Sequence, residues 1–296
     1  MRAKKSLGQN FLTSRGVARD IVAAAQIAPD DVVLEIGPGK GFLTEGLLQK
    51  AGKVIAVEKD VRMISYLKDK FAQEIRNGKL ELVHGDILTL NPTNYKLKTN
   101  TYKLVANIPY YITGEILRTF LSGDLQPQRM VLMVQKEVAD RIVARPRHSG
   151  ARDGKPFDPV RLGSFDKTQD KSPQAAQGKE SILSMSVKAY GTPRYIQKVP
   201  ARYFSPEPNV DSAVLLIENI SKNNFAGEQD ENAFFELMKR GFAHKRKMLW
   251  GNLKNFYEPK KLGEGFEKCD IASTVRAENL SLNQWFCLGE ALMTRS

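Results

Sequence analysis

The sequence has few of the residues that build metal centres and disulfide scaffolds. Of its 296 residues, two are cysteines, Cys269 and Cys287, and three are histidines. The cysteines have neither the close spacing of a zinc site nor the density of a secreted disulfide framework. The histidines, His84, His148 and His244, stand far apart, which gives no support to a metal site or a Ser-His-Asp triad. We therefore expect reduced, packed cysteines and no metal.

Long apolar segments are absent as well. No stretch approaches the ~20 apolar residues of a membrane-spanning helix, and the basic start, MRAKKSLGQNF, is not followed by the apolar core of a signal peptide. Hydrophobic residues make up 42% of the chain and charged residues 26%, which is ordinary for a globular protein with a sizeable core. We expect a cytoplasmic monomer without a membrane partner.

Acidic residues are outnumbered by basic ones. The 45 lysines and arginines stand against 33 aspartates and glutamates, which gives a formal net charge of +12. Such a balance favours a polyanionic partner. The cations predicted to contact nucleic-acid phosphates are Lys4, Lys5, Lys239, Arg240, Lys245, Arg246 and Lys247. For any one run taken alone, an ordinary solvated surface is the competing interpretation.

Short buried strands alternate with helices in the first half of the chain. The predicted strands cover residues 31–36, 53–57, 80–83, 103–106 and 130–134, and the predicted helices cover 42–50, 61–71, 112–121 and 136–143. Alternation of this kind implies a parallel sheet with helices on both faces. The expected fold class is therefore α/β, with a doubly wound Rossmann-like sheet.

The alternation stops after the fifth predicted strand. Residues 146–180 are rich in Gly, Pro, Ser, Asp, Lys and Gln, and they predict a mobile insertion. Residues 182–190 fit a helix or a strand, while 194–199 and 210–218 predict a hairpin that completes the sheet. Apolar residues recur with helical spacing after residue 220. We expect one domain over 1–219 and a small all-helical domain over 220–296.

A glycine-rich loop, EIGPGKG, follows the first predicted strand. Gly37, Gly39 and Gly41 let the backbone approach a ligand at the carboxyl end of the strand. The spacing is G-x-G-x-G, whereas the dinucleotide fingerprint has its third glycine where Phe42 stands. Glu58 ends the next strand, about 20 residues later, where a carboxylate accepts hydrogen bonds from ribose hydroxyls. The loop predicts a nucleoside cofactor; a tight turn with a surface acid is the competing interpretation.

Polar groups also follow the third and fourth predicted strands. Asp86 would lie on the same edge and could accept a bond from the amino group of the cofactor's adenine, although Gly-Asp is also a common turn. The sequence Asn107-Ile108-Pro109-Tyr110 supplies an amide oxygen, a backbone carbonyl and an aromatic face. These are the groups that a base with an exocyclic amine requires.

An exocyclic adenine amine is a poor nucleophile because its lone pair is delocalised into the ring. Asn107 and the carbonyl of Ile108 could accept its two N–H bonds and favour a more tetrahedral nitrogen, while Tyr110 stacks on the base. The hypothesis is methyl transfer to the amine without a metal or a covalent intermediate. For this tetrapeptide alone, a loop with a buried aromatic is the simpler interpretation.

Taken in order, these motifs resemble those of the ribosomal RNA adenine dimethyltransferases of the KsgA type. The similar stretches are KSLGQNFL at 5–12, EIGPGKG at 35–41, VEKD at 57–60, HGD at 84–86, NIPY at 107–110, Phe204, and VDSAV at 210–214. The resemblance covers nearly the whole chain and implies a class I methyltransferase fold that uses S-adenosylmethionine. It implies cofactor contacts from Asn10, Leu12, Gly37, Gly39, Glu58, Asp86 and Asn107. It also implies that Tyr110 and Phe204 sandwich the target adenine, beside Asn107, Ile108 and Pro109.

The chain departs from the family pattern in two places. FAHKRKML at 242–249 is similar to the family's F-x-x-R-R-K-x-L stretch, with Lys245-Arg246 in place of Arg-Arg. The insertion at 146–180 is longer than the usual crossing in the family. This second departure concerns access to the site and not its chemistry.

The resemblance favours one substrate over two alternatives. VDSAV and the basic helical segment are similar to the branch that dimethylates two adjacent adenines near the 3′ end of small-subunit ribosomal RNA, with the immature small ribosomal subunit as partner. A large-subunit adenine methyltransferase of the macrolide-resistance type is the first alternative. A catalytically idle RNA-binding assembly factor on the same fold is the second, and the intact NIPY and glycine loop speak against it.

Overall fold

The computed structural model describes residues 4, 7–90, 95, 97–143 and 179–293. Within these ranges the chain forms two compact units. The first contains the described residues up to Asp140 together with Gly191–Ser221, and the second contains those from Arg141 to Tyr190 and from Lys222 onward. The segment that ends at Tyr190 therefore belongs to the second unit, whereas the sequence-based division placed it in the first.

A seven-stranded sheet forms the centre of the first unit. Its strands are β2 (Val32–Ile36), β3 (Lys53–Glu58), β4 (Leu80–His84), β5 (Tyr102–Asn107), β6 (Arg129–Gln135), β7 (Thr192–Val199) and β9 (Ser212–Glu218). Their order across the sheet is β4-β3-β2-β5-β6-β9-β7. Strands β2 to β6 run parallel, and β9 pairs antiparallel with both β6 and β7. The predicted α/β sheet and its closing hairpin are confirmed.

Helices lie before, between and after the parallel strands in the sequence. They are α1 (Arg15–Ala24), α2 (Phe42–Leu48), α3 (Val61–Lys70), α4 (Ala72–Arg76), α5 (Thr113–Ser122) and α6 (Lys136–Ile142). The central strands β2, β3, β5 and β6 are buried along nearly their whole length. A parallel strand covered on both faces carries a continuous apolar run. Polar side chains with a function are consequently concentrated where these strands end.

The sequence analysis did not predict a small sheet near the N-terminus or the helix α1 that follows it. A two-stranded antiparallel sheet pairs β1 (Phe11–Leu12) with β8 (Phe204–Ser205). Next to it, the backbone N–H of Thr13 donates to the carbonyl oxygen of Tyr203 at 2.8 Å. Helix α1 follows directly, and the side chain of Ser14 caps it. The short sheet joins distant parts of the chain, which local patterns do not reveal.

The second unit is helical. Its helices are α7 (Ile182–Lys188), α8 (Glu228–Phe242), α9 (Leu249–Leu253), α10 (Pro259–Lys268) and α11 (Leu282–Met293). Residues 182–190, which fit either structure by periodicity, begin as a helix because Ser181 and Ser184 form a reciprocal capping box. Phe234, Leu237 and the fully buried Trp285 lie in the core of this unit.

The expectation of reduced cysteines is wrong. Cys269, at the end of α10, and Cys287, within α11, form a disulfide with their Cα atoms 5.7 Å apart. The two helices pack against each other, so residues 18 apart in sequence become neighbours. Spacing along the chain carries no signal for such a pair.

Three expectations concern membranes, metals and the insertion. Among the described helices, none is both long and apolar enough to cross a bilayer. The described residues also contain no cluster of three or more His, Cys, Asp or Glu side chains that could hold a metal ion. The predicted insertion at 146–180 lies outside the described residues except for Lys179 and Glu180.

Candidate active site

A cavity of ≈ 270 Å³ opens at the carboxyl edge of the sheet. The ends of β2, β3, β4 and β5 and the segment before α1 form its walls. Ten of the predicted site residues line it: Asn10, Leu12, Gly37, Gly39, Glu58, Asp86, Asn107, Ile108, Pro109 and Tyr110. The parallel topology brings them together because strands that run in one direction end at one edge.

The glycine loop after β2 has a backbone shape that side chains disfavour. Gly37, Gly39 and Gly41 have φ values of 68°, 56° and 70°, in the left-handed region that glycine adopts without steric cost. A Cβ atom on Gly39 would lie 2.9 Å from Cδ1 of Phe11 in β1. The loop can therefore lie close to β1 only with glycine at this position.

Glu58 fixes that loop from the end of β3. Its carboxylate accepts hydrogen bonds from the backbone N–H of Gly39 at 3.0 Å and of Asp60 at 2.9 Å. Glu58 is 6% exposed, and burial raises the pKa of its carboxyl. Each carboxylate oxygen has a further lone pair. Glu58 can thus accept bonds from ribose hydroxyls while it holds the loop.

Asp86 follows β4 and is paired with a cation. Its carboxylate lies 2.7 Å from Nζ of Lys59 and accepts the backbone N–H of Leu88 at 3.1 Å. The hydrogen bond from Lys59 lowers the pKa of Asp86 below its ordinary value. Asp86 is therefore a carboxylate that can accept a bond from an adenine amino group.

Asn107 ends β5 and its side chain is oriented by the N-terminal segment. Its Nδ2 atom donates to the backbone carbonyl of Asn10 at 3.2 Å. This contact uses the amide nitrogen and leaves Oδ1 as the acceptor for a ligand. The side chain of the residue that follows, Ile108, is buried.

Tyr110 is anchored by a residue that the sequence interpretation did not assign. Its hydroxyl lies 2.7 Å from Oγ of Ser212, the first residue of β9. Tyr110 is half-buried, and burial raises the pKa of its phenol. The hydroxyl contact restrains the tyrosine ring and links the NIPY segment to the VDSAV segment.

Phe204 does not lie at the cavity. It is 5% exposed, belongs to the main core of the first unit and pairs with Leu12 across the small sheet. The exposed aromatic among the cavity residues is instead Tyr111, at 63% exposure. The pairing of β1 with β8 buries the ring of Phe204, and its place beside a target adenine stays a prediction.

Sequence interpretation also missed two acids of this edge and a glutamine. Gln9 lines the cavity and donates to Oδ2 of Asp60 at 3.0 Å. The guanidinium of Arg62 holds the pKa of Asp60 well below its usual range. Glu35, inside β2, also lines the cavity. Burial raises the pKa of Glu35 to about 8. The sequence pattern that could have identified Glu35 as a site residue is an acid within an otherwise apolar strand.

The predicted phosphate-binding cations have different surroundings. Lys4 is exposed and Lys5 lies outside the described residues. Arg240 is bonded to Glu236 at 3.1 Å and lies 4.6 Å from the ring centroid of Phe256, and Lys239 is 3.9 Å from Glu236.

Lys245, Arg246 and Lys247 form a solvent-exposed basic turn, which we call the basic turn. They are exposed, and none forms a salt bridge within the part of the chain that the structure describes. Asn252 holds the turn through Nδ2, which donates to the carbonyls of Gly241 and His244 at 2.6 and 3.3 Å. The three charges are therefore displayed on a fixed backbone.

The sheet order, glycine loop and polar strand ends define a class I methyltransferase fold. A dimethyladenosine transferase from Plasmodium falciparum superposes with a TM-score of 0.71 at 26% identity and covers 94% of this chain and 95% of that one. The 23S rRNA methyltransferase ErmE has the same fold, with a TM-score of 0.69 at 22% identity over 96% of this chain and 100% of that one.

Sequence relatives specify the family. The family model for ribosomal RNA adenine dimethylase matches residues 1–153 and 166–293. A protein called ribosomal RNA small subunit methyltransferase A in Dehalococcoides mccartyi is 38% identical over 96% of this chain and 87% of that protein. The protein with the same name in Ligilactobacillus salivarius is 37% identical over 98% of this chain and 90% of that protein. The chain belongs to the ribosomal RNA adenine dimethylase family and is a methyltransferase enzyme.

Proposed function

We propose that this protein transfers methyl groups from S-adenosylmethionine to N6 of two adjacent adenines near the 3′ end of small-subunit ribosomal RNA. The immature small ribosomal subunit is the proposed partner and the cytoplasm the proposed compartment. The observation that carries the proposal is Asn107, whose amide nitrogen is bound to Asn10 and whose oxygen is left for a substrate amine. The names of the small-subunit relatives support the choice of RNA.

The cavity residues fit S-adenosylmethionine, which would supply a methyl group bonded to a positively charged sulfur. Glu58 accepts the ribose hydroxyls, and Asp86 accepts a bond from the adenine amino group. Gly37 and Gly39 leave room for a ligand against the loop, since neither carries a side chain. Asn10 and Leu12 close the cavity from the N-terminal segment. The carboxylates of Glu58 and Asp86 suit a cationic ligand.

The residues after β5 suit an adenine amine. Oδ1 of Asn107 and the carbonyl of Ile108 accept the two N–H bonds, which turns the nitrogen lone pair toward the methyl group. Pro109 begins the turn that carries Tyr110, and the ring of Tyr110 provides a stacking face that Ser212 keeps in place. A base enters such a cavity only when it is unstacked from its neighbours.

The helical unit supplies the proposed RNA-binding surface. The basic turn presents three exposed cations that no acid of the described chain neutralises. Phosphate contacts of this kind give affinity without reading sequence. Further proposed phosphate contacts come from Lys4, Lys5, Lys239 and Arg240. Pairing with Glu236 weakens the attraction of Lys239 and Arg240 for phosphate.

One assay separates this function from its alternatives. Purified protein is incubated with labelled S-adenosylmethionine and, separately, with small and large ribosomal subunits that lack adenine dimethylation. Label at N6 of adjacent adenines near the 3′ end of the small-subunit RNA is expected, with a partly assembled particle outperforming a rigid mature one. Label confined to large-subunit RNA would favour the macrolide-resistance reaction, and RNA binding without any label would favour the idle assembly factor.

A further inference from the structure

Two consecutive residues of the N-terminal segment, Gln9 and Asn10, line the cavity and bind to opposite sides of it. Nε2 of Gln9 donates to Oδ2 of Asp60, which follows β3, at 3.0 Å. The carbonyl of Asn10 accepts from Nδ2 of Asn107, at the end of β5, at 3.2 Å. Strand β2, which carries the glycine loop, lies between β3 and β5 in the sheet. The segment therefore connects the two strand ends on either side of the glycine loop.

The position of the Asn10 carbonyl decides which end of the Asn107 amide faces a ligand. An amide presents donors at its nitrogen and an acceptor at its oxygen. While the carbonyl accepts from Nδ2, Oδ1 is left for the target amine, as the proposed function, on which this inference rests, requires. If the carbonyl moves away, a flip of the amide directs a donor at that amine. A group that holds residues 9 and 10 in place therefore acts on the reaction without touching a ligand.

The Gln9 side chain is oriented at both ends of its amide. Its Oε1 atom accepts the backbone N–H of Lys4 at 2.8 Å, so Nε2 is the end that faces Asp60. Asp60 is 5% exposed, and its bonds with the guanidinium of Arg62 keep its pKa well below the usual range. An ionised carboxylate offers acceptors only. The bond between Gln9 and Asp60 thus has one direction, with the donor on Gln9 and the acceptor on Asp60.

Asp60 is a firmly held anchor for this bond. Its Oδ1 atom accepts the backbone N–H of Arg62 at 3.1 Å and so caps α3, and Nη2 of Arg62 lies 2.5 Å from Oδ2. The backbone N–H of Asp60 donates to Oε1 of Glu58 at 2.9 Å. Contacts with β3 and α3 therefore hold both its backbone and its side chain.

We propose that Asp60 is a positioning residue for methyl transfer, which holds the N-terminal segment through Gln9 and so keeps the Asn107 amide oxygen directed at the target amine. Asp60 does not itself line the cavity. Its effect passes through Gln9 and Asn10 to Asn107. Loss of the bond should lower kcat at saturating S-adenosylmethionine by about 10- to 100-fold, because a misplacement of ~1 Å near a reacting group has effects of this size.

A reciprocal exchange tests the direction of the bond. Asp60→Asn still caps α3 but places an amide N–H opposite Nε2 of Gln9. Gln9→Glu places a carboxylate opposite that of Asp60. Each single variant should lower kcat by about 10- to 100-fold. In the double variant the new carboxylate at position 9 accepts both from the new amide at position 60 and from the N–H of Lys4. Its kcat should return to within about threefold of wild-type, and a double variant no faster than the single ones would overturn the proposal.

Hydrogen exchange of the ligand-free protein gives a readout that needs no turnover. Amides of residues 8–13 should exchange about tenfold faster or more in each single variant and at nearly the wild-type rate in the double variant. Arg62→Gln is the matched control, because it removes the ion pair of Asp60 and leaves the bond to Gln9. It should lower Tm without changing kcat or this exchange. If Arg62→Gln accelerates the exchange as much as Asp60→Asn does, the ion pair and not Gln9 is responsible, and the proposal is wrong.

A further variant keeps the proposal testable if Asp60→Asn does not fold. Gln9 lies outside the helices and strands, so Gln9→Ala removes the bond without disturbing a helix cap. Wild-type kcat and wild-type exchange of residues 8–13 in Gln9→Ala would refute the role of Asp60. If the wild-type protein transfers no methyl group to RNA, the proposed function fails instead, and the exchange rates still decide whether Asp60 holds the segment.

Discussion

At the scale of single residues, the polar side chains of the cavity hold backbone groups as well as offering acceptors to a ligand. Glu58 accepts the N–H of Gly39 and of Asp60, and Asn107 donates to the carbonyl of Asn10. These contacts restrict side-chain motion before any ligand binds. Less conformational entropy is then lost on binding.

Removal of the Glu58 carboxylate should weaken cofactor binding. Glu58→Ala is expected to reduce S-adenosylmethionine affinity by about 1–3 kcal/mol, because ribose hydroxyls lose a charged acceptor in a buried site. Isothermal titration calorimetry measures the change. Glu81→Ala is the matched control, since Glu81 pairs with Lys53 and does not line the cavity. Equal affinities of wild-type and Glu58→Ala protein would remove Glu58 from the ribose site.

Loss of the Asn107 amide should affect the chemical step more than binding of RNA. Asn107→Ala is expected to lower kcat about 100-fold or more, because one pre-oriented acceptor for the amine is lost. RNA affinity, measured by filter binding, should stay within a factor of about two of wild-type. Asn77→Ala, at an exposed asparagine that does not line the cavity, should retain full turnover. Normal turnover in Asn107→Ala would exclude the proposed orientation of the amine.

At the scale of elements, the glycine loop and the small sheet depend on each other. Gly39 lies against Phe11 of β1, and β1 is held by β8 from much later in the chain. A change in the loop therefore displaces the segment that also carries Asn10. The proposed cofactor site and the support of Asn107 are therefore coupled through this contact.

Gly39 and Gly78 have similar backbone conformations, so an alanine substitution at each distinguishes the stability cost of backbone strain from that of steric overlap. Gly78→Ala, with φ of 77° and open space for a Cβ, is expected to cost only the left-handed strain of about 1–2 kcal/mol. Gly39→Ala adds a contact of 2.9 Å with Phe11 and should cost more stability and also weaken S-adenosylmethionine. Urea unfolding and calorimetry measure the two effects. If neither variant changes the affinity for S-adenosylmethionine, β1 moves away from the new methyl group without disturbing the site.

Elements whose signal is local were predictable. The five parallel strands, their helices and the glycine loop follow from apolar runs and glycine spacing, and the structure has them within a few residues of the predicted bounds. The position of Phe204 was not predictable, because the pairing with Leu12 that buries it joins residues far apart in sequence. The disulfide between Cys269 and Cys287 was missed for the same reason: it depends on how α10 packs against α11.

At the scale of the whole molecule, the proposed cofactor cavity and the basic turn belong to different units. The cavity lies entirely within the first unit, and the basic turn lies within the second. Substitutions in the basic turn should therefore leave cofactor affinity unaffected.

Neutralising the basic turn should change how RNA affinity depends on salt. Replacing Lys245, Arg246 and Lys247 with Gln should flatten the slope of log affinity against log salt by about 0.7–0.9 for each phosphate that is no longer neutralised, with cofactor affinity unchanged. Fluorescence anisotropy at several salt concentrations measures the slope. The control replaces the exposed Lys50, Lys68 and Arg76 of the first unit with Gln and should keep the wild-type slope. If both triple variants flatten the slope equally, general charge and not the basic turn is responsible.

The position of β9 sets the order in which the molecule is completed during synthesis. β9 lies between β6 and β7, although it is the last of these three strands in the sequence. While the ribosome adds residues at ~5–20 per second, β6 has no partner on that side until Ser212–Glu218 emerges. Ser212 is also the residue that anchors Tyr110. A nascent chain that has already formed the parallel strands and the glycine loop therefore lacks the Ser212 contact of Tyr110, the proposed stacking residue, until the final strand of the sheet has left the exit tunnel.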